Sequence, residues 1–420
     1  MNPVLMIAFH YPPCAGSSGV LRTLKFSKYL PQFGWEPIIL TAHPRAYPIV
    51  RDDQLGDIPE EAAVHRALAF DAARHLAFKG AYCSLTALPD RWVSWWPGAV
   101  MSGWQLIRRH QPAVIWSTYP IATAHLVGLT LHQLTGLPWI ADFRDSMTED
   151  NYPPDPLTRR CYRWIEERVV RHSSRLVFTA KSAVNMYLAR YPTLDPKKCV
   201  VLANGFDEND FAGLSDSPLH GSSGAGRATR LVHAGLLYPE ERDPRSFFVA
   251  LARFRKENRE SADSLRIDLR ASGFEDYYAA MIKELAIDDL VHLLPSLPYR
   301  ESLQDCAKAD GLLIFQAASC DHQIPAKVYE NMRLQKPILA LTSEKGDTAE
   351  ILRATGGATI VRLDDAEAIF EAFGKFLRAV RTQSHSLPDL GLVRTYSRQV
   401  QAQQLSHLLS ESGFSSSRAQ

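Results

Sequence analysis

The carboxylate of Glu330 and the glycine at position 346 are the first features of the chain whose chemistry suggests a binding site. A carboxylate can accept two hydrogen bonds from a ribose diol. Backbone N–H groups at a helix start, as predicted after Gly346, can hold a phosphate. A nucleotide site is therefore one interpretation of this stretch. The other is that Glu330 is an ordinary solvated helix residue, since most glutamates are surface residues.

Three elements must position these residues. Apolar side chains recur at near-helical spacing after Pro325, which predicts a helix over 325–335. Lys336 precedes a proline and ends that helix, and the apolar run 338–341 predicts a buried parallel strand. A second helix is predicted to start at 346–348. This order is typical of an open α/β sheet, whose ligands bind at the carboxyl ends of the strands.

The segment 324–341 resembles the donor-binding segment of retaining glycosyltransferases of family 4, which have the GT-B fold. In that family two glutamates lie eight positions apart, and the second usually contacts the ribose of the nucleotide sugar. Glu330 matches the second glutamate, and His322 stands where the first would be. The resemblance implies that Glu330 binds the ribose. Either His322 or the adjacent Asp321 then supplies the polar contact near the donor sugar, or His322 is a loop histidine without a role.

The N-terminal stretch has the order strand, glycine-containing loop, helix and strand. Apolar runs at 4–9 and 35–41 predict the strands, and a helix is predicted between Gly19 and Gly34. The loop lacks a full G-x-G-x-x-G pattern, so it does not specify a dinucleotide. It resembles the first loop of family 4 transferases, which implies that Gly16 and Gly19 approach the donor phosphates and the acceptor. Either glycine could instead serve a tight turn.

Two charged residues end the predicted strand 138–145. Arg144 and Asp145 are candidates for function because the carboxyl end of a parallel strand borders the ligand crevice. The pair resembles the segment that often carries His-Asp in the family, with Arg144 in place of the histidine. Asp145 is expected either to contact the acceptor or to orient Arg144. A purely structural ion pair is the alternative.

The turn after the predicted strand 231–235 carries a candidate phosphate ligand. Family 4 enzymes usually have an arginine just after this glycine and a lysine further on, which meet the donor pyrophosphate. Leu236 replaces the first, and Arg242 lies at about the spacing of the second. A guanidinium suits bidentate phosphate binding. A surface loop charge is the plainer interpretation of Arg242.

Composition restricts the class of protein. The chain has 420 residues, of which 46% are hydrophobic and 22% charged, so it is long enough for two globular domains. Its formal net charge of +1 gives no electrostatic case for nucleic acid. The six cysteines are scattered without a C-x-x-C pair, which indicates neither a zinc site nor a disulfide framework. Reduced thiols, without a secretory signal or a transmembrane stretch, predict a cytoplasmic location.

The segment 89–98 contains three tryptophans. Aromatic and basic residues can rest at a membrane interface, where an acceptor carried on a lipid would be met. Peripheral contact with the inner face of the cell membrane is therefore a further expectation. A buried aromatic cluster is the alternative, and the high average burial of tryptophan favours it.

The predicted fold class is α/β: GT-B, with two Rossmann-like domains facing a cleft and a C-terminal helix that crosses back to the first domain. The acceptor-binding domain is predicted at 1–210, ending in the turn Asn204–Asp207, and the nucleotide-sugar-binding domain at 228–385. A Gly- and Ser-rich linker separates them. A terminal helix within 386–412 is expected to pack on the first domain, and the tail from Ser410 to be disordered.

The resemblance implies a retaining, hexosyltransferase-type enzyme that moves a sugar from a nucleotide sugar to a hydroxyl of a glycan or lipid-linked acceptor. Its expected setting is cell-surface polysaccharide or lipopolysaccharide assembly, with no metal, no cofactor and no nucleic acid partner. The candidate catalytic residues are Asp145, Arg144 and His322. The candidate donor-binding residues are Gly16, Gly19, Arg242, Lys327, Glu330, Gly346 and Thr348.

Two other functions suit the same fold, because one fold hosts many functions. The missing first glutamate and the missing arginine could mark a degenerate transferase that binds a nucleotide or a partner without sugar transfer. A GT-B epimerase would interconvert a nucleotide sugar without an acceptor. A GT-B phosphorylase would often carry a lysine-bound cofactor, for which the sequence has no motif.

Overall fold

The structure, a computed structural model, describes residues 1–15, 19–77, 84–150, 152–214 and 227–415. The chain forms two compact units, one of Met1–Ala203 with the chain from Arg398, the other of Asn204–Ser397. Residues 204–210, predicted to close the first domain, therefore belong to the second unit. Most of the predicted linker 213–229 lies outside the described residues.

The first unit is built on a parallel sheet. Its described strands are β1 (Asn2–Ile7), β2 (Trp35–Ala42), β3 (Ala63–Ala67), β4 (Val114–Thr118), β5 (Trp139–Phe143), β6 (Arg175–Phe178) and β7 (Cys199–Val201). They lie in the order β3-β2-β1-β4-β5-β6-β7 and all pair in parallel. Its helices before residue 204 are α1 (Gly19–Tyr29), α2 (Ala72–His75), α3 (Trp95–His110), α4 (Ala122–Thr135), α5 (Pro156–His172) and α6 (Lys181–Arg190).

Continuous apolar runs explain this sheet. Residues 4–8 are fully buried, as is every residue of β5, because helices cover both faces of a parallel sheet. After α1, Gly34 adopts the left-handed conformation with a φ of 82°, which ends the short helical turn before β2. Strand order reverses between β1 and β4. Their carboxyl ends therefore border the crevice of this unit.

The second unit is a smaller parallel sheet of the same kind. Its described strands are β8 (Thr229–Ala234), β9 (Leu265–Arg270), β10 (Val291–Leu294), β11 (Gly311–Phe315), β12 (Ile338–Leu341) and β13 (Ala358–Val361). They lie in the order β10-β9-β8-β11-β12-β13, so the reversal falls between β8 and β11. Its helices are α7 (Arg245–Glu257), α8 (Arg259–Ala262), α9 (Glu275–Glu284), α10 (Tyr299–Ala307), α11 (Ala326–Arg333), α12 (Asp347–Thr355), α13 (Ala366–Arg381) and α14 (Leu390–Arg394).

The C-terminal helix differs from its prediction. The sequence predicts one terminal helix within 386–412, but the structure has α14 and then a separate helix, α15 (Arg398–Ser415). The chain leaves the helical path at Tyr396, whose carbonyl accepts the backbone N–H of Phe206 at 3.4 Å. The predicted disorder from Ser410 is wrong as far as residue 415. Ser412, for example, is buried, and α15 packs along α1 of the first unit.

The tryptophan-rich segment contributes to the core of the first unit. The Trp95 side chain is fully buried, with its ring 5.6 Å from that of Phe9. The Trp92 indole donates to the carbonyl of Ala46 at 3.1 Å. The structure thus shows a buried aromatic cluster rather than a membrane-facing surface for Trp95. No helix within the described ranges is both long and apolar enough to span a bilayer.

Candidate functional site

Glu330 is held in place by two neighbours. It lies on α11 and is only 3% exposed, so it is not a solvated helix residue. The Tyr299 hydroxyl, at the start of α10, donates to its Oε1 at 2.9 Å. The Lys327 ammonium, one turn earlier on α11, lies 3.0 Å from its Oε2. A carboxylate fixed in this way has a defined direction in which to accept further hydrogen bonds.

Two cations flank a small pocket at the carboxyl ends of β8 and β11. Arg242 and Lys327 both line it, together with His233 and Asn331. Burial chiefly lowers the pKa of His233, to about 4, and the charges of Arg242 and Lys327 add to the effect. The imidazole is therefore neutral near pH 7. Arg242 and Lys327, which the sequence identified, are thus the charged side chains that line this pocket, and Lys327 is paired with Glu330.

The neutral tautomer of His233 follows from its contacts. Its Nδ1 lies 3.0 Å from the carbonyl of Leu313, which can only accept, so Nδ1 carries the proton. Nε2 is buried and has no hydrogen-bond partner among the described residues. It is therefore a hydrogen-bond acceptor, which suits a hydroxyl group rather than a phosphate.

The turn that carries Arg242 is fastened from two sides. The Arg242 backbone N–H donates to the carbonyl of Tyr238 at 2.7 Å, and its guanidinium lies over the Tyr238 ring. The carbonyl of Glu241 accepts the N–H of Ala317, from the loop after β11, at 2.7 Å. Leu236, which stands where the family has an arginine, is 44% exposed. The structure thus brings Arg242, but no second arginine of this turn, to the pocket.

The start of α12 lies against the loop that follows β11. A Cβ added at Gly346 would come within 2.5 Å of Asp321 Oδ1, so a larger residue here would displace the Asp321 side chain. The backbone N–H of Asp347 donates to the carbonyl of Asp321 at 3.2 Å. Thr348 is fully buried, and its hydroxyl has no hydrogen-bond partner within the described ranges. His322 lies in the same loop, with Nε2 3.3 Å from the Gln323 amide nitrogen.

Buried polar atoms without partners concentrate at this edge of the second sheet. Buried polar groups are normally hydrogen-bonded, so each exception calls for an explanation. In the described part of the chain, the atoms at the ends of β8, β11 and β12 are His233 Nε2, Gln316 Oε1, Asp321 Oδ1, Thr342 Oγ1 and Thr348 Oγ1. A polar ligand at the carboxyl ends of these strands would supply their partners.

The first unit has its own polar group at the strand ends. Asp142, the fourth residue of β5, is fully buried and accepts two hydrogen bonds from Arg22, at 2.9 and 2.8 Å. Arg22 also donates to the carbonyls of Leu202 and Ala203. Thr118, at the end of β4, donates to Asp142 at 2.8 Å. These contacts hold the first turn of α1 against β5 and against the chain at 202–203.

Arg144 and Asp145 lie just beyond β5. Arg144 is 8% exposed, and its carbonyl accepts the Thr179 hydroxyl at 2.9 Å. Burial lowers the pKa of its guanidinium, and the nearby Asp145 opposes that effect. Burial also lowers the pKa of His10, to about 3, with the Arg144 charge contributing. A neutral histidine therefore accompanies Arg144 at the carboxyl ends of β1 and β5.

Glu166 anchors the loop that follows Asp145. It is fully buried on α5, and Oε2 accepts the backbone N–H of Thr148 at 3.0 Å. The hydroxyl of Tyr187 reaches the same oxygen at 2.9 Å, and Arg190 reaches Oε1 at 2.9 Å. These contacts restrict the loop close to the Arg144–Asp145 pair.

The remaining candidates fall near the start of α1. Gly19 is its first residue and is buried. Gly16 lies outside the described residues. Sequence reasoning missed Tyr299, the acceptor nitrogen of His233 and the Arg22–Asp142 pair. The position of His233 near the end of a predicted strand, two residues before Gly235, is a usable signal. Nothing in the sequence links Tyr299 to Glu330.

One family model and several solved structures are similar to this chain. Residues 19–205 match the family of glycosyl transferase 4-like domains. No curated protein matches the sequence significantly. HepE from Anabaena in complex with UDP-glucose is 14% identical, with a TM-score of 0.67 over 98% of this chain and 100% of that one.

Two further solved structures are similar over nearly their whole length. Sucrose-phosphate synthase from Thermosynechococcus elongatus is 12% identical, with a TM-score of 0.66 over 98% of this chain and 99% of that one. WaaG, a glycosyltransferase involved in lipopolysaccharide biosynthesis, is 11% identical, with a TM-score of 0.62 over 97% and 99% of the two chains.

The two Rossmann-like units have the GT-B fold, as predicted. Residues 19–205, within the first unit, match a glycosyl transferase 4-like domain, which agrees with the resemblance to family 4 transferases predicted from the sequence.

Proposed function

We propose that the chain transfers a hexose from a nucleotide sugar, bound on the second unit, to an acceptor hydroxyl, with retention at the anomeric carbon. The observation that carries the proposal is the fixed, buried carboxylate of Glu330 beside a pocket with two cations. Both Glu330 oxygens point in defined directions, so the carboxylate can accept hydrogen bonds from a ribose diol.

Arg242 and the start of α12 are the proposed diphosphate ligands. When the bond between the anomeric carbon and the diphosphate oxygen breaks, negative charge grows on the departing group. A guanidinium and the backbone N–H groups near Gly346 and Thr348 stabilise that charge without reorganising. Lys327 lies in the same pocket and adds positive charge. His233 accepts a hydrogen bond from a hydroxyl of the donor through Nε2.

Arg144 and Asp145 are the proposed acceptor residues on the first unit. They lie at the carboxyl end of β5, where ligands of open α/β sheets bind. Asp145 accepts a hydrogen bond from the acceptor hydroxyl, and its charge also faces Arg144. His322, in the loop beside Asp321, supplies a polar contact near the donor sugar in place of the family's first glutamate.

Two similar proteins of known structure support the proposed setting. HepE is described in complexes with UDP and with UDP-glucose, which supports a UDP-sugar donor. WaaG is involved in lipopolysaccharide biosynthesis, which supports an acceptor of the cell surface. We therefore place the reaction in cell-surface glycan assembly on the cytoplasmic side, with a lipid-linked or glycan acceptor met at the membrane and with no bound metal or cofactor.

Product analysis tests the proposal. Purified protein is incubated with UDP-, GDP-, ADP- and dTDP-sugars and a lipid-linked glycan fraction, and the anomeric configuration of the new linkage is read by NMR. We expect one donor to yield an acceptor-dependent product with the donor's own configuration, and Glu330→Ala to yield none. Nucleotide-sugar binding without a product would favour the degenerate binding protein. Conversion of the donor sugar without an acceptor would favour the epimerase.

A further inference from the structure

Arg144 is a largely buried cation whose guanidinium donates no hydrogen bond through Nε to any residue that the structure describes. The residue is 8% exposed, and its Nε is fully buried without a partner among the described residues. Burying a charge is costly unless hydrogen bonds and an opposite charge compensate it. Arg22, in the same unit, shows the usual solution, since its guanidinium donates to Asp142 and to two backbone carbonyls.

The charges around Arg144 do not supply the missing acceptor. The Asp142 carboxylate oxygens already accept hydrogen bonds from the side chains of Arg22 and Thr118, at donor–acceptor distances of 2.8 to 2.9 Å. Asp145 faces Arg144 electrostatically but accepts no hydrogen bond from it in the described structure. His10 is neutral, because burial and the Arg144 charge lower its pKa to about 3, so it supplies no opposite charge. The guanidinium thus lies at the carboxyl end of β5 with unused hydrogen-bonding capacity.

We propose that Arg144 binds an oxyanion, a carboxylate or a phosphate, carried by the acceptor. The planar guanidinium offers two parallel N–H donors, which match the two oxygens of either group. A neutral sugar hydroxyl could not compensate a buried charge to the same extent. The acceptor would therefore be an acidic glycan or a phosphorylated glycan or lipid. Its identification as the acceptor rests on the proposed function, whereas the anion site itself does not.

Thermal unfolding with small probes tests the anion site. Glucuronate, inorganic phosphate, glucose and UDP are each added to the full chain in a phosphate-free buffer, with wild type, Arg144→Gln, Arg144→Lys and Glu330→Ala in parallel. We expect millimolar glucuronate or phosphate to raise the melting temperature of wild type by roughly 2–4 °C, and glucose to have no effect. The rise should persist in Glu330→Ala, shrink in Arg144→Lys and vanish in Arg144→Gln.

The melting temperatures of the same variants, measured without any added probe, provide a second test. If the Arg144 guanidinium lacks a hydrogen-bond acceptor in the free protein, Arg144→Gln melts at or above the wild-type temperature, whereas Arg22→Gln melts well below it. The proposal would be overturned if glucuronate and phosphate raised the melting temperatures of wild type and Arg144→Gln equally. It would also be overturned if neither probe raised the melting temperature of wild type. A large loss of stability in Arg144→Gln would overturn it as well, because that result would show an existing partner.

The melting temperatures with UDP distinguish a failure of this proposal from a failure of the proposed function. A UDP response that depends on Glu330 but not on Arg144 places the donor elsewhere, as the proposal requires. A UDP response lost in Arg144→Gln would make the anion part of the donor and overturn the acceptor assignment. If UDP has no effect while glucuronate or phosphate acts through Arg144, the anion site stands although the donor assignment fails.

Discussion

The hydroxyl of Tyr299 donates a hydrogen bond of 2.9 Å to Oε1 of Glu330. The other oxygen of that carboxylate lies 3.0 Å from the Lys327 ammonium. Glu330 is thereby held between α10 and α11 with a fixed orientation. A ribose-binding carboxylate needs this restriction, because a freely rotating side chain would lose entropy on binding.

Removal of the Tyr299 hydroxyl should weaken donor binding without disturbing the fold. In Tyr299→Phe the ring remains, but the carboxylate loses a hydrogen bond worth about 1.5 kcal/mol, or roughly a tenfold change in donor Kd. Titration calorimetry with the nucleotide sugar measures it. Tyr277→Phe is the matched control, since that hydroxyl contacts Arg245 at the surface. Equal donor affinities in wild type and Tyr299→Phe would contradict the anchoring role.

Gly346→Ala should damage the start of α12. The new Cβ would come within 2.5 Å of Asp321 Oδ1, so the Asp321 side chain must move away. We expect a loss of about 1–3 kcal/mol in the free energy of unfolding, together with weaker nucleotide-sugar binding. Urea unfolding and calorimetry measure the two effects. Gly56→Ala is the control, because nothing lies within 4 Å of its Cβ position. The prediction is wrong if both variants bind and unfold alike.

Arg22→Gln should destabilise the first unit strongly. It would leave the buried Asp142 carboxylate without its bidentate partner, at a cost of about 3–5 kcal/mol. Arg175→Gln is the matched control, because Arg175 meets the exposed Glu411 at 3.5 Å and such pairs contribute ~0–1 kcal/mol. Chemical denaturation measures both variants. Similar small losses would show that the Arg22 pair is not a stabilising contact.

Stability should fall as the solution becomes acidic. Burial lowers the pKa of His125 to about 3 and that of His233 to about 4, from an ordinary value of 6.5. The unfolded chain binds these protons more readily, so stability is complete above the unfolded pKa and is lost as pH falls toward the folded one. Each histidine contributes up to ~1.4 kcal/mol per pH unit in this window.

A histidine substitution isolates this contribution. His125 packs against Ser117 in the core, and His125→Gln removes its proton uptake on unfolding. The slope of unfolding free energy against pH should become shallower between about pH 6.5 and 4. Denaturation at a series of pH values measures the slope, with the exposed His407→Gln as control. An unchanged slope in His125→Gln would show that this histidine is not buried neutral.

Much of the fold could be predicted because short apolar runs between turn signals define buried parallel strands. The bounds predicted for β12, residues 338–341, agree with the structure. β3 could not be predicted, since its residues Ala63–Ala67 are mostly half-buried at a sheet edge and show no apolar run. The break before α15 depends on a contact with Phe206, far away in sequence, and no glycine or proline marks it.

Residues of the candidate site could be predicted where their type and their local spacing in the sequence indicate a role. Glu330 and Arg242 were identified, and the structure places both at the carboxyl edge of the second sheet. The side-chain pairs that hold the buried carboxylates in place were not identified from the sequence. Arg22 and Asp142 are 120 positions apart, and Tyr299 and Glu330 are 31 apart. Only the tertiary fold brings such pairs together, so local spacing cannot show them.

The measurement that tests the central claim most directly is donor binding by wild type and Glu330→Ala. The full chain is titrated with UDP-, GDP-, ADP- and dTDP-sugars and followed by thermal unfolding, because a ligand of the folded state raises its stability. Glu301→Ala, an exposed glutamate on α10, is the control. We predict that one nucleotide sugar stabilises wild type and Glu301→Ala but not Glu330→Ala. Equal stabilisation of all three proteins, or of none, would contradict a donor site at Glu330.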